Sequence, residues 1–107
     1  MKQIPGKDKV LSMLGLAARS RNVVSGGFAT EQAVKCGKAA LVIIAEDASG
    51  NTRKKYSNMC DFYEVPCAVH GTKSVLGHSM GKEERSVLAV TDEGFADSIQ
   101  KHLGDSE

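Results

Sequence analysis

Three histidines, three cysteines and one adjacent pair of glutamates are the side chains of this 107-residue chain best suited to bond-making chemistry. Their spacing argues against it. His70, His78 and His102 fall in three different segments. Cys67 and His70 are close in sequence, but side chains three apart on a strand face opposite ways, a poor geometry for a nucleophile and its base. No Gly-x-Ser-x-Gly elbow is present. Cys60 and Cys67 lie seven apart with no second pair, which is not a zinc spacing. Glu83-Glu84 reads as a solvated turn. The sequence predicts no catalytic residue, no metal ligand and no cofactor.

Residues suited to holding an anion are better placed. Gly26-Gly27 precedes a helical stretch, and free N–H groups with the helix dipole favour an anion at such a start. Neither a Gly-x-x-x-x-Gly-Lys-Ser/Thr loop nor a Gly-x-Gly-x-x-Gly fingerprint is present, so a mononucleotide site of those types is not expected. Arg19 and Arg21 stand just before the glycines, which makes a phosphate-backbone contact credible. Arg53-Lys54-Lys55 and the loop Lys82-Glu83-Glu84-Arg85 add further cations. The net charge is only +1, but it is unevenly spread. Residues 1–55 hold ten basic and four acidic groups, a net of +6; residues 56–107 hold four and nine, a net of −5. A basic half permits a polyanion-binding face on a neutral protein. Ordinary solvated helix faces would give the same count, and the surface arrangement decides between them. Aromatic residues are 5% and tryptophan is absent, which argues against a stacking platform for single strands. A folded or bent RNA, read by shape and backbone contacts, fits better.

The elements that must carry these residues alternate in type. Val10, Met13, Leu14 and Ala17 form one apolar face and predict a helix over 7–18. Val23-Val24 is a brief strand candidate. Ser25 is placed to cap a helix running through Cys36, with Ala29, Ala33 and Cys36 inward and Gly37 as its stop. The run from Ala39 to Ala45 is too short for an ordinary helix and reads as a strand buried on both faces, which requires helices on both sides. Tyr56, Met59, Cys60 and Tyr63 predict a helix over 51–63. Cys67 to Val69 is a second strand and Ser86 to Val90 a third. Thr72 caps a helix carrying Val75, Leu76 and Met80, ended by Gly81. Asp92 caps a last helix with Phe95, Ile99 and Leu103, and the tail 104–107 is expected to fray. Alternation of this kind predicts an α/β layered domain with a largely parallel sheet.

The chain length suits one domain, with a core over about 9–103. An apolar fraction of 41% with small net charge argues against disorder. Three cysteines, an odd number, argue against a disulfide scaffold and suit a reducing, cytoplasmic setting. No apolar run approaches the roughly 20 residues of a membrane span, and the first six residues carry no apolar signal core.

Several of these segments together resemble a known family. They are LGLAARSRNVVSG from Leu14 to Gly26, LVIIAEDAS from Leu41 to Ser49, NTRKK from Asn51, YEVP from Tyr63, GTK from Gly71, LGH from Leu76 and MGK from Met80. In this order and spacing they are similar to the bacterial YlxQ-type branch of the ribosomal protein family L-seven-Ae, with L-thirty-e, whose members bind kink-turn RNA. The resemblance runs from about Lys9 to Leu103. It implies a three-layer α/β/α sandwich around a mixed four-stranded sheet. It implies a cytoplasmic, non-enzymatic, RNA-associated role, with kink-turn or ribosomal RNA and ribosomal or translation proteins as partners.

In that family the second helix opens with Gly-x-Asn-Glu-x-x-Lys, whose polar side chains read sheared G·A pairs. The matching stretch here is Gly26-Gly27-Phe28-Ala29-Thr30-Glu31-Gln32. Phe28 stands for the Asn, Ala29 for the Glu and Gln32 for the Lys. Phe28 either stacks on a base or packs under the Gly-Gly turn. A register slid by three would use Glu31 and Lys35 instead, but it breaks the spacing to Gly37. The family's second RNA-facing element is the loop before the last strand, here Lys82 to Arg85. The expected RNA site is therefore Arg19, Arg21, Gly26, Gly27, Phe28, Ala29, Gln32, Lys35, Lys82 and Arg85. The three departures also admit a rival reading, a protein-interaction module on the same fold.

Overall fold

A computed structural model describes residues 8–105. Helix α1 spans Lys9–Arg19, strand β1 Val23–Ser25, α2 Gly27–Lys35, β2 Leu41–Ile44 and α3 Gly50–Tyr63. Strand β3 covers Cys67–Val69, α4 Lys73–Ser79, β4 Val87–Val90 and α5 Glu93–Asp105. The expectations for Lys7, for the first six residues and for Ser106 and Glu107 lie outside the described residues. Helix α5 runs on through Asp105, past the expected end at Leu103.

The four strands form one sheet in the order β1-β4-β2-β3. β2 and β3 are parallel, whereas β4 is antiparallel to both β1 and β2. The largely parallel sheet inferred from alternation is therefore incorrect, and the mixed sheet implied by the resemblance is found. Alternation alone does not reveal that β4 inserts, reversed, between β1 and β2. All four residues of β2 and all four of β4 are buried. A central position with helices on both faces explains their unbroken branched and apolar character. Helix α1 packs on α4 and α5, and α2 packs on α3, giving a layer on each face.

Local signals account for most helix starts. Asp8 accepts from the Leu11 amide, Ser49 from Thr52, Thr72 from Val75 and Asp92 from Phe95. Each satisfies a first-turn amide that lacks an intrahelical partner. Helix α2 differs from expectation on both counts. Its cap is Gly26, not Ser25. Its inward residues are Thr30, Ala33 and Val34, whereas Cys36 follows the helix and is exposed.

Candidate nucleic-acid interface

The first candidate element is the turn from β1 into α2. Ser25 pairs with Leu88, and the Gly26 amide donates to the Val87 carbonyl at 3.0 Å, so the sheet holds the chain up to the last residue before the helix. Gly26 then turns with φ 91, a backbone conformation that glycine adopts without a side-chain clash. This is why the cap falls on Gly26. Ser25 is still in the ladder, and its hydroxyl is engaged elsewhere. No side chain caps α2. Its first intrahelical bond is from Thr30 to Gly26, leaving the amides of Gly27, Phe28 and Ala29 at the exposed start without helical partners.

Tyr56 fixes this turn from α3. Its hydroxyl donates to the Gly27 carbonyl at 2.9 Å, and a Cβ on residue 27 would sit 2.9 Å from the same oxygen. Phe28 does not pack under the turn; it is 81% exposed. Of the two readings of Phe28, the packing one is incorrect. Ala29 is half-buried and Gln32 is exposed. Phe28, Gln32 and Lys35 follow helical spacing and share one stripe.

Lys35 lies at the far end of that stripe and is committed. Its Nζ is 2.8 Å from Glu31 Oε2, and Lys55 Nζ is 3.3 Å from Glu31 Oε1. Hydrogen bonds from these two lysines hold the Glu31 carboxyl below its ordinary range, and Glu31 in turn raises Lys35. In the register slid by three, Glu31 and Lys35 are paired with each other, and Glu31 also with Lys55.

The second element is the loop between α4 and β4. Arg85 is half-buried, and part of its guanidinium is engaged within the protein. Nε donates to Ser25 Oγ at 3.0 Å, and one terminal nitrogen donates to the carbonyls of Glu84 at 2.9 Å and Glu83 at 3.4 Å. Arg85 thus stitches the loop to the end of β1. Gly77 of α4 supports the same loop from behind. A Cβ there would overlap the Glu83 carbonyl, so the loop rests directly on the helix backbone. Lys82 remains exposed on the loop, flanked by exposed Glu83 and Glu84.

Arg19 and Arg21 complete the face from below. The amides of Arg21 and Asn22 bond back to Ala18 and Ala17 at 3.1 and 2.7 Å, closing α1 in a Schellman turn with Arg21 at φ 65. A groove of about 470 Å³ follows the outer edge of β1, lined by Arg19, Arg21, Val23, Ser25, Met80 and Lys82. Three cations therefore border one groove that ends at Ser25, immediately below Gly26. The other basic run lies elsewhere: Lys55 turns toward Glu31 and the Tyr56 ring, while Arg53 and Lys54 line a groove at the opposite sheet edge.

The histidines form no cluster. His70 Nε2 is 3.0 Å from Asp8 Oδ2, tying the end of β3 to the cap of α1, and His78 is exposed on α4. Among the described residues no group of three His, Cys, Asp or Glu side chains is placed to hold a metal. No helix among them is long and apolar enough to cross a membrane.

Residues 8–100 match the model of the ribosomal protein L7Ae/L30e/S12e/Gadd45 family. The chain belongs to this family. A Bacillus subtilis (strain 168) protein named RNA-binding protein YlxQ is 47% identical over 87 residues, covering 81% of this chain and 87% of the relative. An Enterococcus faecium protein of the same name is 34% identical over 90 residues, covering 84% and 86%. A solved structure of a protein with unknown function from Bacillus halodurans C superposes with TM-score 0.88 at 39% identity, covering 92% of this chain and 99% of that one. In this L7Ae-type fold the expected residues divide clearly. Gly26, Gly27, Phe28, Ala29 and Gln32 sit on the α2 start, Arg19, Arg21 and Lys82 border the adjoining groove, and Arg85 joins the two. Gly77, Tyr56 and Ser25 are supporting residues that the motif comparison missed. The close approach at Gly77 had a sequence signal, a glycine inside a helical stretch, whereas the reach of Tyr56 across 29 positions had none.

Proposed function

We propose that this chain is a non-enzymatic, cytoplasmic RNA-binding protein that recognises kink-turn or similarly bent RNA, in association with the ribosome. The observation that carries the reading is the Arg85–Ser25 bond of 3.0 Å, which makes the α2 start and the α4–β4 loop a single face. The uncapped amides of α2 and the groove bordered by Arg19, Arg21 and Lys82 offer donors and charge to a phosphate backbone. Phe28 supplies an exposed ring suited to stacking on a flipped-out base, worth roughly 1–3 kcal/mol where such stacking occurs. The names of the YlxQ relatives and the family's ribosomal members support the same class of ligand.

The test is a titration of the protein against a kink-turn RNA and a straight duplex at two salt concentrations. Preferential binding to the kink-turn, weakened by Phe28→Ala, is the expected result. Equal and strongly salt-dependent binding to both would mean a basic face without specific readout. Failure to bind either would favour the protein-interaction reading, which the departures at Phe28, Ala29 and Gln32 support.

A further inference from the structure

The opposite edge of the sheet has a surface that RNA recognition leaves unused. β3 is an edge strand, three positions away from β1 in the sheet. The Val42 amide donates to Pro66 and the His70 amide donates to Ile44, so these groups, with those of Ala68 between them, face β2. Ladder alternation turns the N–H and C=O of Cys67 and Val69 outward. Among the described residues these four groups have no hydrogen-bond partner. Val69 is 51% exposed.

A groove of about 360 Å³ runs between this edge and α3, lined by Ile44, Arg53, Lys54, Ser57, Cys67 and Val69. Arg53 and Lys54 are exposed and form no ion pair with any described residue. The third cation of the run, Lys55, is already held by Glu31.

We propose that the β3 edge and this groove dock an extended acidic segment of a partner protein as a fifth strand. Backbone pairing with Cys67 and Val69 supplies the register, and alternate side chains of the incoming strand face α3. An apolar side chain then meets Val69, and flanking carboxylates meet Arg53 and Lys54. Charge selects against the simplest competitor. A second copy of this chain pairing edge to edge would bring its own Arg53 and Lys54 against the first pair, a like-charge contact that disfavours self-association.

The probe is a synthetic peptide, acetyl-Gly-Glu-Ser-Val-Ser-Glu-Gly-amide, titrated into the isotope-labelled full chain and followed by backbone amide NMR. Saturable shifts at the amides of Cys67 and Val69 are expected, with slowed solvent exchange at both. The double variant Arg53→Glu/Lys54→Glu is expected to lose at least tenfold in affinity, and Val69→Lys, at an exposed site, provides a second variant should the first not fold. A peptide N-methylated at its alternate, inward-facing amides keeps the charge and is expected not to bind. Equal binding of that peptide would reduce the contact to unspecific charge attraction and overturn strand addition. Absence of saturable shifts would overturn it as well. Displacement of the peptide by kink-turn RNA would assign the groove to RNA, and a concentration-dependent doubling of mass abolished by Val69→Lys would assign it to a second copy.

Discussion

Replacing Arg85 separates two accounts of the RNA face. If Arg85 met phosphate, its charge would matter; in the structure Nε and one terminal nitrogen donate to Ser25 Oγ and to the carbonyls of Glu83 and Glu84. Arg85→Ala therefore removes three hydrogen bonds, one of them longer than the others, from a half-buried side chain. Net contributions of about 0.5–1.5 kcal/mol for each intramolecular bond, reduced by solvent exposure, give roughly 1–2 kcal/mol for the loop as a whole. That free energy must be recovered when RNA orders the loop again, so kink-turn affinity should fall about 5- to 30-fold. The slope of log affinity against log salt should stay where it was, because no phosphate contact is lost. Arg85→Lys is the decisive companion. It keeps the charge but loses the planar fork, so it should behave like Arg85→Ala. Filter binding or fluorescence anisotropy at four salt concentrations reads both quantities. A slope reduced by about one in Arg85→Ala, together with rescue by lysine, would refute the stitching role and return Arg85 to the phosphate.

Thr30 is fully buried in α2 and its hydroxyl has no hydrogen-bond partner among the described residues. Thr30→Val keeps the branched shape and removes the unpaired group, so it should stabilise the fold by about 1 kcal/mol and raise Tm by about 4–8 °C, as read by thermal denaturation. A fall in Tm would mean that the hydroxyl has a partner after all. Gln32→Lys adds a cation at an exposed position on the Phe28 stripe; kink-turn affinity should rise and the salt slope should steepen by about one, and an unchanged slope would place Gln32 away from the RNA. A hydrogen bond from the buried Cys60 thiol holds the Cys67 thiol below its ordinary range, and that contact, with burial, pushes Cys60 up. The thiolate is the reactive form, so iodoacetamide should modify Cys67 at a lower pH than an ordinary thiol, and Cys60→Ala should move that midpoint upward. A midpoint indifferent to Cys60→Ala would show that the two sulfurs do not interact.

Much of this architecture is local and therefore readable without coordinates. The branched run Leu41 to Ile44 could be buried only in a strand covered on both faces, and so it is. Thr72 and Asp92 cap the helices they were expected to cap, because a side chain reaching three residues ahead needs no tertiary information. The errors arose where distant elements decide. Ser25 is a good cap by type, but β4 pairs through Ser25 and Arg85 claims its hydroxyl from 60 positions away. Cys36 continues the apolar periodicity of α2, yet the helix ends at Lys35 and leaves it exposed. The direction of β4 is likewise a property of the whole sheet. The resemblance fixes the register of Gly26 at the α2 start, but no motif reveals that Arg85 bonds to Ser25.

The charge asymmetry of the sequence acquires its meaning only from strand order. An open four-stranded sheet has two edges, and each is a template for unwanted pairing unless something blunts it. Here the basic first half is divided between them. Arg19 and Arg21, joined by Lys82, border the β1 edge; Arg53 and Lys54 border the β3 edge, with Pro66 at its start. Identical chains meeting at either edge would oppose cation to cation. An anionic partner meets no such repulsion, so the residues that keep the edges apart from their own kind are also those that favour polyanions and acidic strands. The two edges still differ in what else they offer. Beside β1 lie an uncapped helix start and an exposed ring at Phe28, donors and a stacking surface suited to RNA. Beside β3 lie free backbone groups, an exposed valine and the Cys67 thiol, a surface that suits a polypeptide. A +1 net charge conceals this division, because the acids of the second half offset it in the count: Asp61 on α3, Glu83 and Glu84 beside Lys82, and Glu93, Asp97 and Asp105 on α5.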